Sequence, residues 1–321
     1  MRKVVVTGGA GFIGSHLAKE LARRGYEVII LDDLSTGRMK NITGLTKTRN
    51  PTNSTTQKTQ QVVFIQGSVT DVLLLQKLFH GAHYVFHQAA IPSVPRSIAN
   101  PQASHEANIT GTLNVLLAAR DNGIKKVIYA SSSSVYGDTP ELPKREDMPP
   151  NPQSPYAVTK LAGEYYCGVF QQVYGLYTVC LRYFNVYGPR QDPNSQYAAV
   201  VPRFISRVFQ GECPVIFGDG DQTRDFTFIE DVVEANILAA ESEATGIFNI
   251  GRGERITINQ LAGLTIKLIG SNVEPVYEDP RPGDIRHSLA DVSRAKAFGY
   301  EPKRSLEYGL RETIRSLQHE I

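Results

Sequence analysis

The sequence predicts an α/β fold, a doubly wound parallel sheet followed by a smaller C-terminal α/β lobe. Three observations carry this expectation. Short β-branched apolar runs alternate with helical patterns through the first half of the chain, and such alternation implies a parallel sheet covered on both faces. A glycine-rich turn joins the first apolar run to the first helical pattern. Beyond about Arg182 the strands shorten and Pro and Gly become more frequent.

The elements follow in order. Lys3 to Thr7 reads as a buried strand because Val4, Val5 and Val6 are β-branched and apolar. Gly8-Gly9-Ala10-Gly11-Phe12-Ile13-Gly14 comes next, then a helix to about Arg24. In this spacing Gly8 permits a tight turn, Gly11 lets backbone approach a pyrophosphate, and Gly14 lets helix pack on strand. The next strand, Glu27 to Leu31, ends in Asp32. A carboxylate there accepts from both ribose hydroxyls of an adenosine and repels a 2′-phosphate, so NAD is expected rather than NADP. Further strands are expected at Val62–Ile65, Tyr84–His87, Lys126–Ala130 and Thr178–Tyr183, and helices near Asp71–Phe79, Pro101–Asn122 and Tyr156–Tyr174. Ligands bind outside the carboxyl ends of such strands. Asp32, Gln88-Ala89-Ala90 and Ser131-Ser132-Ser133-Ser134 all follow those ends. Thr46 to Gln61, without an apolar residue, reads as a mobile surface loop.

The second half is expected to hold strands at Val215–Phe217, Gly246–Ile250 and Pro275–Tyr277, with helices near Val200–Gln210, Ile229–Ala240, Ile258–Ile269 and Ser305–Gln318. Residues 1–181 are thus expected to bind the cofactor and residues 182–321 the substrate, with the chain crossing between the two lobes. A cleft between them is the expected substrate site.

Composition narrows the function. At 321 residues the chain buries a large core. A net charge of +2 without a basic block argues against nucleic acid or a membrane surface as partner. No apolar run reaches the roughly 18 residues of a membrane span, and the N-terminus enters a strand directly, without a visible signal peptide. Cys167, Cys180 and Cys213 form no C-x-x-C pair. They read as reduced core residues in a cytoplasmic chain, and no metal is expected.

Tyr156 and Lys160 lie four residues apart in Ser154-Pro155-Tyr156-Ala157-Val158-Thr159-Lys160. On a helix that spacing puts both side chains on one face. An ammonium beside a phenol brings its pKa from about 10 towards neutrality, the range of a general base. Alone, the pair reads first as a surface Tyr and a surface Lys; after a glycine turn and Asp32 it reads as chemistry.

These residues make the chain resemble the extended short-chain dehydrogenase/reductase family, and within it the NAD-dependent nucleotide-sugar epimerases. The resemblance rests on Thr7-Gly8-Gly9-Ala10-Gly11-Phe12-Ile13-Gly14, on Ser131-Ser132-Ser133-Ser134-Val135-Tyr136-Gly137 and on Tyr156 with Lys160. It continues through Leu181-Arg182-Tyr183-Phe184-Asn185-Val186-Tyr187-Gly188, Arg224-Asp225-Phe226 and Arg281-Pro282-Gly283-Asp284. It implies a Rossmann domain holding NAD and inversion at C4 of a UDP-sugar through a transient 4-keto sugar. Tyr156 is then the base. Lys160 holds the nicotinamide ribose and tunes Tyr156. Ser132, four residues before Tyr136, matches the catalytic hydroxyl, with Ser133 the competitor because a four-serine run blurs register.

The resemblance also implies cofactor contacts at Phe12, Ile13, Ser35, Gly37, Asn108, Ser131 and Phe184, besides Gln88, Ala89 and Ala90. Ser68 and Val69 belong to this set although the family carries Gly-Asp-Ile or Gly-Asp-Val where this chain has Gly67-Ser68-Val69. Implied substrate contacts are Ser93, Asn185, Ala199, Val200, Arg224, Arg281 and Asp284, ordinary surface arginines being the alternative for Arg224 and Arg281. Ser288, four residues after Asp284, matches a position lining the sugar pocket, and its small size leaves room for an N-acetyl group. UDP-N-acetylglucosamine and UDP-N-acetylgalactosamine are therefore the expected pair, with UDP-glucose and UDP-galactose beside them. The alternatives are a UDP-glucuronate 4-epimerase, or a nucleotide-sugar dehydratase or decarboxylase of the same family. Elimination is disfavoured because Ser133-Ser134-Val135 stands where the dehydratases carry Asp-Glu. A homodimer joined through Pro101–Asn122 and Tyr156–Tyr174 is implied in the same way.

Overall fold

Apolar β-branched runs and amphipathic helices alternate along the first half of the chain as the pattern requires. The structure, a computed structural model, describes residues 2–46, 62–193, 199–280 and 285–318. The strands are β1 (Lys3–Thr7), β2 (Glu27–Asp32), β3 (Val62–Gln66), β4 (Tyr84–His87), β5 (Lys126–Ser132) and β6 (Tyr177–Tyr183). Between them lie α1 (Phe12–Arg23), α2 (Val72–Phe79), α3 (Val94–Ala99), α4 (Pro101–His105), α5 (Gly111–Asp121) and α6 (Pro155–Tyr174). Local chemistry sets the ends of α6: Ser154 accepts from the Ala157 N–H, Pro155 opens the first turn, and Gly175 closes the helix in the left-handed conformation.

One expected helix is broken. Pro101–Asn122 is α4, then a π turn over Glu106–Thr110, then α5. The extra residue of a π turn rotates a side chain inward; here Asn108 at its centre is buried.

The second half supplies β7 (Val186–Tyr187), α7 (Val200–Phe209), β8 (Val215–Phe217), β9 (Thr223–Arg224), β10 (Thr227–Phe228), α8 (Ile229–Glu241), β11 (Gly246–Ile250), β12 (Ile256–Thr257), α9 (Ile258–Ile269), β13 (Val276–Glu278) and α10 (Leu306–Gln318). Seven strands form one sheet in the order β11-β6-β5-β4-β1-β2-β3, all parallel. The order reverses at β1 and β4, the switch point where ligands bind in such sheets. This is the Rossmann doubly wound arrangement.

The strand expected at Gly246–Ile250 extends the large sheet along β6, and α8 packs on α1. The segment 229–250 thus returns to the layer begun by the first half, while α7, α9 and α10 pack on one another. Two apolar clusters cover the sheet faces. Val4, Val6, Leu17, Ile128 and Ile237 share one, and Val5, Phe79, Val85, Val115 and Cys180 the other, the alternation a strand imposes. Cys167 and Cys180 are buried free thiols, and Cys213 is a half-buried one. Among the described residues no helix is long and apolar enough to cross a membrane.

Candidate active site

A cleft of about 930 Å³ runs along the carboxyl ends of the parallel strands and is closed from the other side by residues of the second half. The glycine turn forms one wall. Gly8 has φ +67°, and a Cβ there would lie 2.6 Å from Ala89 N; one on Gly14 would lie 2.2 Å from Gly8 O. Only hydrogen fits at either position. α1 begins at Gly11 without a side-chain cap, so its first N–H groups are left for a ligand. Phe12 and Ile13 line the cleft beside them.

Asp32 points back over this turn. Its Oδ2 accepts from Ala10 N at 2.9 Å and its Oδ1 from Leu34 N at 2.8 Å. Burial raises its pKa above the usual value, and these bonds to backbone oppose the rise. Gly37 lies against the carboxylate, where an added Cβ would be 2.5 Å from Oδ1; it supports Asp32 from outside the cleft lining, whereas Ser35 lines it. Ser68, Val69, Gln88, Ala89, Ala90 and Ser131 line the cleft. The Ser68 hydroxyl accepts from Thr70 Oγ1 at 2.9 Å. Gln88 is held by Asn236 at 3.0 Å and by the Tyr183 hydroxyl at 3.3 Å. A glycine cradle, an uncapped helix and an inward carboxylate fit a dinucleotide.

Two expected cofactor contacts sit elsewhere. Asn108 lies behind the wall, fully engaged with Ile91 and Thr159. Phe184 is fully buried with Val135, Tyr136 and Met148, its ring 6.2 Å from that of Tyr136, and it does not line the cleft. Its neighbours Tyr183 and Asn185 do, the strand ending at Tyr183 and the chain turning at Asn185, whose φ is +29°.

α6 carries Tyr156 and Lys160 into the cleft together. Lys160 Nζ lies 5.8 Å from the Tyr156 ring centroid and 5.1 Å from that of Tyr129, and donates to Ala130 O at 2.8 Å. The electrostatics correct the expectation of a phenol near neutrality. Burial pushes Tyr156 up to about 12, with a hydrogen bond to the Ser132 side chain the one opposing influence. Burial also pulls Lys160 down to about 8, against the charge of Glu164. Desolvation outweighs the neighbour charge for both groups in the protein by itself.

The four serines separate. Ser131 Oγ donates to Glu164 Oε1 at 2.5 Å. Ser132 meets the Tyr156 phenol and accepts from Ser134 N at 3.2 Å. Ser133 lines the cleft. The Ser134 hydroxyl is buried without a hydrogen-bond partner among the described residues.

On the substrate side, Ser93, Asn185, Ala199, Val200, Arg224 and Ser288 line the same cleft. Ser93 also accepts from Arg96 N at 3.4 Å. Asn185 donates to Asp225 O at 3.0 Å. Arg224 Nη1 donates to Thr223 O at 2.9 Å, and the Ser288 N–H donates to the same carbonyl at 3.1 Å. Arg281 and Asp284 lie outside the described residues, as do the segment 194–198 and all but Thr46 of the polar loop.

Several cleft and support residues were not singled out from the sequence. Arg203 stacks over Phe217 at 5.4 Å, and both line the cleft. Glu164 and Arg182 form a buried ion pair beside Lys160; a glutamate one helical turn after the lysine was the available signal.

The fold and the cleft define a dinucleotide-dependent enzyme, with a tyrosine, a serine and a lysine brought together in the cleft. The chain belongs to the NAD dependent epimerase/dehydratase family, whose model matches residues 4–251. It is similar to the UDP-N-acetylglucosamine 4-epimerase of Methanobrevibacter ruminantium M1, solved with UDP-N-acetylmuramic acid, at 43% identity and TM-score 0.92 over 100% of this chain and 99% of that one. It is similar to the UDP-glucose 4-epimerase of Thermotoga maritima with UDP-glucose, at 40% identity and TM-score 0.91 over 99% of each chain. It is also similar to the UDP-glucuronic acid 4-epimerase of Bacillus cereus with UDP-glucuronic acid and NAD, at 34% identity and TM-score 0.88 over 99% of this chain and 100% of that one.

Proposed function

We propose that this chain is an NAD-dependent UDP-sugar 4-epimerase that interconverts UDP-N-acetylglucosamine and UDP-N-acetylgalactosamine, and UDP-glucose and UDP-galactose more weakly. One observation carries the reaction type. Among the described residues the carboxylates lining the cleft are Asp32, Asp33 and Asp192. Asp32 ends β2 and Asp33 follows it, and Asp192 is paired with Arg38, so none accompanies Tyr156 and Ser132. Elimination needs an acid and a base beyond the tyrosine; inversion needs one group that takes and returns a proton.

Gly8, Gly11, Gly14 and Asp32 would hold the NAD. Bound NAD supplies hydride acceptance and return at one carbon. The protein does the rest. Tyr156, with Ser132 beside it in the cleft, takes the proton of the sugar 4-hydroxyl and gives it back, Ser132 relaying it. The Lys160 ammonium favours the phenolate. Arg224 and Arg281 are assigned to the diphosphate, for which a guanidinium fork is suited. Asn185 joins them there, Ala199 and Val200 approach the uracil, and Asp284 holds the uridine ribose. Ser288, small and at the cleft wall, leaves room beside C2 of the sugar. Support for a homodimer comes from the exposed apolar side chains Val158, Tyr165, Val169 and Val173 on α6. A cytoplasmic setting fits the free thiols.

The test is a panel of UDP-sugars incubated without added NAD and read by product separation. Both epimer pairs should interconvert. Turnover of UDP-glucuronate alone would overturn the substrate reading, and no turnover at all would overturn the activity. Ser288→Tyr should abolish reaction of the N-acetylated pair and spare UDP-glucose, because overfilling a packed wall is costly.

A further inference from the structure

Glu164 and Arg182 form an ion pair beneath the catalytic helix, and the proton transfers above do not use it. Their side chains are 1% and 2% exposed. Arg182 Nε and Nη2 reach Glu164 Oε1 and Oε2 at 2.8 and 2.7 Å, and the guanidinium stacks on the Tyr136 ring at 4.6 Å. A buried pair of this kind rarely adds net stability over apolar residues of the same volume. Its neighbours suggest what it does instead. Glu164 follows Lys160 by one helical turn and Tyr156 by two, on the same face of α6. Its Oε1 also accepts from Ser131, the residue before Ser132. Ser131 and Arg182 are register partners on β5 and β6. One carboxylate therefore pins α6 to two adjacent strands at the level where Ser132 meets Tyr156.

The charge matters as well as the grip. Several titratable groups face Lys160 and Glu164 from the packed elements, and they are neutral around pH 7. Burial pulls His87 on β4 down to about 3. Burial pushes Tyr129 on β5 well above its ordinary value. A hydrogen bond with Cys167, together with burial, does the same to Cys180 on β6. Burial raises Tyr136 and Tyr156 to about 12. His105 and Glu106, on the segment packed against α6, are exposed. Glu164 is left as the group that opposes the loss of the Lys160 proton.

We propose that Glu164 is a positioning residue of the reaction: its carboxylate sets the register of α6 on β5 and β6 through Ser131 and Arg182, and it keeps Lys160 an ammonium. The inference rests on the epimerase reading for its activity measurement alone. The direct measurement is NMR titration of [13Cε]lysine-labelled protein, with the Lys160 signal identified by Lys160→Met. The wild-type midpoint is expected near 8. In Glu164→Gln it should fall by about half a pH unit or more. The alkaline limb of the kcat–pH profile should move with it. At its optimum kcat should drop about tenfold to a hundredfold with little change in KM, the signature of misplaced reacting groups. Glu164→Asp keeps the charge and should bring the midpoint back towards wild type while kcat stays low. If Glu164→Gln does not fold, the double variant Glu164→Met with Arg182→Leu removes both charges with packing retained, and a fall in the same direction is expected, smaller because a cation leaves with the carboxylate. A midpoint that stays put, or an unchanged kcat, overturns the inference. A wild type inert towards every UDP-sugar overturns the epimerase reading and leaves the titration standing.

Discussion

Asn108 donates to Thr159 Oγ1 at 3.0 Å, and through that bond the π turn grips the helix that carries Tyr156. Thr159 in turn donates to the Tyr156 carbonyl at 2.8 Å. The same amide accepts from Ile91 N and donates to Ile91 O, so one side chain spaces the cleft wall from the base. Asn108→Ala would strand these groups in a buried site. A loss of about 2–4 kcal/mol is expected from unsatisfied buried polar atoms, read as a lower urea midpoint. kcat should fall about tenfold with NAD still bound. A variant with wild-type stability and rate would refute the spacer role.

Gly14 meets the carbonyl of Gly8 so closely that a methyl group has no place. Gly14→Ala should therefore push α1 off the turn and release the cofactor. The purified variant is expected to lack NAD by absorbance and to need added NAD for turnover. Retention of NAD at wild-type occupancy would contradict the cradle.

The Tyr156 phenol, raised by burial to about 12, cannot serve as a base near pH 7 until positive charge beyond that of Lys160 arrives beside it. Loading with NAD should lower its titration midpoint, which [13Cζ]tyrosine NMR reads against a Tyr156→Phe reference. Burial disfavours the phenolate, and a nearby cation stabilises it, so the shift is downward. Tyr156→Phe should keep NAD and lose roughly 10²–10⁴ in kcat. Ser132→Ala should lose more activity than Ser134→Ala. An unchanged or rising midpoint on loading, or the reverse order of the serines, would sink this account of the base.

Much of this site was readable because it is local. The glycine spacing, Asp32 at a strand end and the Tyr156–Lys160 pair each lie within a few residues or one βαβ unit. The helix expected at Ile258–Ile269 occurs at those residues, opened by a Thr257–Gln260 capping box. What local pattern cannot carry is partnership. Gly246–Ile250 reads as a strand, but nothing in it says that β6 is its neighbour. The apolar spacing of Pro101–Asn122 continues through the π turn and hides it. Phe184 packs with Val135, Tyr136 and Met148, partners distant in sequence that no local pattern announces. Glu164 carries no local mark of burial, since such residues are rarely buried without a partner and its partner Arg182 lies on β6.

Exposed apolar side chains on α6 call for a cover. Tyr165, Val169 and Val173 are 62%, 48% and 63% exposed, and they recur at helical spacing. Val169→Glu combined with Tyr165→Glu should convert a dimer into a monomer by light scattering at micromolar concentration. A wild type that is already monomeric there would remove the basis for the dimer.

The seventh strand has a consequence for how the chain reaches its native state. The sheet stays unfinished during synthesis until residue 250 is available, because β11 covers the edge of β6 and α8 covers part of α1. A nascent chain ending earlier presents a long parallel edge and a bare apolar helix face, the features that recruit other chains. Closure then joins segments far apart in sequence, a non-local pairing of the kind that folds slowly. Truncations that stop short of β11 should therefore appear as insoluble protein rather than as a free-standing cofactor domain.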